Sequence, residues 1–239
     1  CLWDIDRDLL WTLFRRVSEN EPNRGVLKFF LNYPAGRLTR AAPDKIEDVL
    51  AILWNRFEAD TSKSGVELRE EIADLTAVLG LYENVPASSS RLQSWLGKMD
   101  AHRSELTHVV QTVRDGLTLG FADHKPDLVA IRRRCSGYLH QLVVTAAVTL
   151  ETYYAQHRTA STAQADQTRA AAELLDRACM QLLFAIKPSN AQNERAATLD
   201  DIGAVAFVDE NRATLQRLAE VGTPSTVHHL LDLLEVVLH

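Results

Sequence analysis

The chain has 239 residues, 46% hydrophobic and 24% charged, with 32 acidic against 26 basic side chains for a formal net charge of −6. That length buries a substantial core without covalent staples, and acids and bases mixed along the chain speak against a dominant polyanion-binding surface. Three cysteines far apart (Cys1, Cys135, Cys179) spell neither a disulfide framework nor a zinc spacing, so a reducing, cytosolic compartment is expected.

Taken in order, Asp6–Asn20 carries Leu9, Leu10, Leu13, Phe14 and Val17 at helical spacing behind an acidic cap. Glu21-Pro22-Asn23 ends it, and Gly25–Tyr33 follows as a short apolar run read as helix. Pro43 opens a helix whose Ile46, Leu50, Leu53 and Phe57 recur at four-three-four spacing. After the polar Thr61–Gly65, Leu68, Ile72, Leu75, Leu79 and Tyr82 hold a seven-residue period. Asn84–Ser90 reads as a loop whose serines cap the helix carrying Leu92, Trp95, Leu96 and Met99. Leu106–Leu117 is helical, while Leu117–Phe121 is the one stretch able to pass for a strand.

A long helix is expected to start near Asp127, with a possible break at Gly137 and its least polar run at Tyr138–Tyr154 (YLHQLVVTAAVTLETYY). Apolar on every side, that run reads as a core helix, and it is too short to cross a membrane. Leu174–Ile186 gives a further helix, Leu199–Phe207 and Leu215–Val221 give one or two, and Thr223-Pro224 caps the last. The expectation is an all-α chain of about ten helical segments. It divides into 1–84 and 85–239, the latter built on the 127–158 helix, or it forms one continuous domain. The first residue is Cys and the last apolar stripe runs on without a Gly or Asn cap, so a fragment of a longer chain is expected.

Gly222–Leu238 (GTPSTVHHLLDLLEVVL) and Ala42–Phe57 (APDKIEDVLAILWNRF) resemble the turn and second helix of HEAT or armadillo repeats. Prolines near 40-residue intervals fit that period. The resemblance implies an α-solenoid presenting a surface to a macromolecular partner, with an irregular helical bundle as the rival architecture.

Candidate chemistry is sparse. Arg132, Arg133 and Arg134 sweep most of one helical turn, so at least one lies near the buried side, where it meets a carboxylate, a ligand or a partner. Cys135, next to them, is open to activation by that positive field. Asp200, Asp201, Asp209 and Glu210 bring to mind paired acids that hold Mg²⁺ in all-α enzymes, although no full D-D-x-x-D occurs. His102 and Glu105, at i, i+3, are spaced to share a ligand, whereas adjacent His228 and His229 diverge by about 100° and cannot chelate one metal by themselves. The leading expectation is a non-enzymatic interaction, scaffold or sensor domain of a larger bacterial cytosolic protein. It takes a protein partner or itself, with no cofactor and no membrane. The alternatives are a Mg²⁺-dependent enzyme using the acidic set and nucleic-acid binding through Arg132–Arg134.

Overall fold

A computed structural model of the chain describes residues 6–119, 125–156, 162–186 and 201–238. Those residues form ten α-helices and no strand, so the all-α expectation holds. They divide into two compact units, Cys1–Ser94 and Trp95–His239.

In the first unit, α1 (Arg7–Asn20) begins where the Asp6 carboxylate accepts the Leu9 N–H at 2.9 Å, satisfying one of the donors that a helix start leaves open. Asn23 does the same for α2 (Arg24–Phe30), accepting from Gly25 and Val26. The chain then widens into a π turn over Leu31–Ala35, which contains Pro34, and tightens into a 3-10 turn over Gly36–Leu38. Pro43, harmless where no N–H is needed, opens α3 (Pro43–Phe57). The Ser62 hydroxyl caps α4 (Lys63–Ala77) at Gly65 N–H, 3.1 Å away, and a second π turn covers Val78–Tyr82. Helix α5 (Pro86–Gly97) starts inside the stretch expected as a loop, Asn84–Ser90, so Ser88 lies within the helix and is buried. The division between the units falls within α5.

Here α1 packs on α3, α2 on α4 and α3 on α4. Leu27, Leu31, Ile46, Leu50, Leu53, Leu68, Ile72 and Leu79 are fully buried between them. Arg56, at the end of α3, donates to the Ser18 and Glu21 carbonyls at the end of α1, so these helices finish together.

The second unit holds α6 (Arg103–Leu117), α7 (Pro126–Gln156), α8 (Thr162–Ile186), α9 (Asp201–Val221) and α10 (Pro224–Leu238). Helices α6, α7 and α8 pack in succession, as do α9 and α10; in addition α6 meets α8, α7 meets α9 and α8 meets α10. The core is Leu106, Val109, Val110, Leu139, Leu142, Val143, Leu150, Leu175 and Leu182. Thr223 caps α10, its hydroxyl accepting the Thr226 N–H at 3.0 Å, and Gly222 makes the preceding turn at φ +41°, where a Cβ is strained.

Two expectations need correction. Helix α7 is unbroken through Gly137, where a Cβ would meet open space. Nor is its apolar run buried all round: Leu142 and Leu150 are fully covered, but Val148 is 50% exposed and Gln141 is exposed. The second half of α7 therefore keeps a solvent face, and α9 is one helix rather than two. Leu117 closes α6; Gly120 and Phe121 lie outside the described residues.

Candidate functional site

The arginine triplet lies early in α7, and the 100° helical step sends its members to different environments. Arg133 is exposed and Arg134 half-buried, while Arg132 turns inward and is only 5% exposed. Its Nε and Nη2 donate to the two carboxylate oxygens of Glu210 on α9, each at 2.9 Å. Its Nη1 lies 3.4 Å from the Leu119 carbonyl. A planar guanidinium clasped on both edges in this way is a fixed internal pair.

This pair begins a polar seam between α7 and α9. His140 Nδ1 is 3.1 Å from the Thr214 hydroxyl, and Arg217 donates to Glu151 at 3.0 Å and to Glu220 at 3.3 Å. Ser136, Asn211 and Thr214 are buried along it. Positions 132, 140 and 151 of α7 thus meet 210, 214 and 217 of α9 in ascending order, so the two helices run in the same general direction.

Of the acidic set, the side chains of Asp209 and Glu210 are described. Asp200 lies outside the described residues, and Asp201 opens α9 with its side chain likewise undescribed. Asp209 is exposed and accepts from Arg212 at 2.5 Å, while Glu210 is taken by Arg132. Each described carboxylate is thus held by its own arginine. Among the described residues no group of three His, Cys, Asp or Glu side chains is placed to hold a metal ion.

Activation of Cys135 is corrected by its surroundings. The residue is fully buried, and loss of solvation pushes its thiol up to about 12, with Arg134 opposing only in part. Cys179, also free and buried in the α8 stripe, is raised to about 12, first by burial and then by Asp176 and Asp232. Neither supplies a thiolate near neutrality.

Two features of the first unit escaped sequence reasoning. Glu47 of α3, 7% exposed, accepts from the Ser88 hydroxyl and from both terminal nitrogens of Arg91, at 3.2 and 2.5 Å; Arg91 also reaches Thr76 at 3.3 Å. The available signal was the acid's place beside Ile46 in an apolar stripe. The other feature is an apolar face on α1 and α2. Leu9 is 46%, Leu13 41%, Val26 46%, Phe29 61% and Tyr33 53% exposed. The Phe29 and Tyr33 rings lie 4.7 Å apart on the outside, and Phe14 and Phe30, the buried neighbours of Leu13 and Phe29, meet edge to face at 4.8 Å. A groove of about 570 Å³ runs between α1 and α3, lined by Asp8, Trp11, Arg15, Lys45, Asp48 and Ile52 among others.

No protein-family model, curated protein or solved structure matches this chain. Among the described residues no helix is long and apolar enough to cross a membrane.

Proposed function

We propose that this chain is a protein-interaction domain, a scaffold or sensor part of a larger protein, whose docking face is the apolar surface of α1 and α2. The observation that carries this is the stripe Val26, Phe29 and Tyr33. On a helix whose opposite side buries Leu27, Phe30 and Leu31, two large aromatic rings stack together in solvent. Exposed apolar clusters of this kind mark contact surfaces, and aromatic residues supply most anchors in them. Within the second unit each helix meets the next and the next but one, a pattern in keeping with the α-solenoid reading of Gly222–Leu238, a fold in which surfaces serve partners. Two free, buried cysteines suit the reducing, cytosolic setting expected from composition.

A photo-cross-linking residue at Phe29, introduced in cells that make the protein, tests this. A discrete covalent adduct with a protein is expected, and Val26→Glu with Tyr33→Glu should remove it. Absence of an adduct, or one indifferent to those substitutions, overturns the reading.

A further inference from the structure

The geometry points to a second copy of this chain as the occupant of the α1 face, paired antiparallel about a two-fold axis. This inference rests on the interaction reading above and names its partner. Helix α1 buries Leu10, Phe14 and Ser18 on one side. A different side carries Asp6, Leu9, Leu13 and Arg16, all exposed and spaced three, four and three residues apart. On a 100° step Leu9, Leu13 and Arg16 fall within about 60° of one another, and Asp6, the N-cap with extended backbone, precedes Leu9 at the start of that stripe.

The order within that stripe is self-complementary: acid, leucine, leucine, base. A two-fold axis midway between Leu9 and Leu13 sets Leu9 against the partner's Leu13 and Asp6 against the partner's Arg16. The same contacts then repeat on the other side of the axis. This is the requirement of an isologous interface, in which one patch must complement itself. A parallel pairing in register would instead oppose acid to acid and base to base.

The end groups are free to serve. Asp6 spends one carboxylate oxygen on the Leu9 N–H, and Arg16 contributes its backbone carbonyl to Asn20 while its side chain stays exposed. By contrast, the cations of α2 are engaged within the unit, Arg24 with Asp60 and Lys28 with Glu67 and Glu71.

Sedimentation equilibrium on the 239-residue chain tests the pairing. The wild type is expected to approach twice its 26.7 kDa mass with a dissociation constant on the order of micromolar, as suits a small interface. Leu13→Glu should weaken association at least about tenfold while leaving the helical circular dichroism unchanged, because the side chain is exposed. Charge reversal fixes the register. A chain carrying Asp6→Lys and another carrying Arg16→Glu should each self-associate poorly, yet combine when mixed, because mixing restores opposite charges at both ends. Recovery on mixing cannot come from the lost Asp6 cap. A wild type that stays monomeric to millimolar concentration, a dimer indifferent to Leu13→Glu, or charge-reversed chains that gain nothing on mixing overturns the second copy as occupant. In each case the adduct at Phe29 still decides the broader interaction reading.

Discussion

Asp60 shows how one side chain organises a corner of the first unit. Its carboxylate accepts from Arg24 Nε at 2.8 Å and from the Ser62 N–H at 3.0 Å, and a Cβ at Gly65 would intrude on it, so glycine is required there by close approach. Hydrogen bonds from Ser62, then from Arg24, hold its pKa at about 2. A carboxyl depressed in the folded state stabilises that state above the unfolded value, near 4, and loses its effect as pH falls towards about 2. Asp60→Asn should therefore lower the melting temperature by a constant amount above about pH 4, with the gap closing towards pH 2. A gap that persists unchanged at pH 2 contradicts this role. Glu47 makes a sharper case because it is buried: Glu47→Ala strands Arg91 and Ser88 and should cost about 3 kcal/mol, whereas Glu47→Leu with Arg91→Met should be near neutral. Chemical denaturation of the two variants separates an interior that tolerates its ion pair from one that depends on it.

At the scale of elements, the seam between α7 and α9 contrasts with the rest of the second unit. Helices α6 to α8 bury mostly leucine, valine and alanine, with Glu105, Thr112 and Gln181 as polar exceptions. The described side chains of α9 and α10 instead bury Asn211, Thr214 and Thr226 beside Leu218 and Leu230. The attachment runs through Arg132 with Glu210, His140 with Thr214, Arg217 with Glu151, and Asp176 accepting from the Thr223 and Thr226 hydroxyls. Polar groups regain water when such a contact opens, so the α9–α10 hairpin should be the least protected part of the unit. Native-state hydrogen exchange is expected to show amides of 208–232 opening together, at least about tenfold more often than those of 131–150. Equal protection in the two segments would contradict a weak attachment. Along α7 itself, Leu142→Asp should unfold the unit while Val148→Asp should be tolerated, since only the first side chain is sealed from water.

That pair of residues also shows where the sequence was legible. The cap at Asp6, the proline at Pro43 and the cap at Thr223 are local, and those helix starts followed from them, whereas Asn23 and Ser62, read as breaks, prove to be caps as well. Exposure of Val148 depends on which helices cover α7, and composition is silent on that. The inward turn of one arginine was readable from the helical step, but its acceptor lies 78 residues away on another helix, beyond any pattern in sequence. The apolar face of α1 and α2 was concealed because its leucines and aromatics read as core; only the packing of α1 on α3 and α2 on α4 showed which leucines were left outside.

For the whole molecule, charge and its placement bear on the nucleic-acid alternative. Polyanion binding needs several cations free on one surface, each phosphate contact steepening the salt dependence by about 0.9 in log–log slope. The net charge is −6, and of the three arginines that suggested such binding, Arg132 is committed to Glu210 inside the second unit. Other cations are drawn into pairs as well, among them Arg91 with Glu47, Arg217 with Glu151 and Arg24 with Asp60. Arg133 is the exposed member of the triplet, and one such side chain supports a slope no steeper than about −1. Fluorescence titration of a labelled oligonucleotide at 50 to 200 mM salt should therefore show weak binding with that shallow dependence, and Arg133→Ala should abolish what little there is. A slope of −4 or steeper would require a basic surface assembled from residues other than these, and would return nucleic acid to the front of the functional reading.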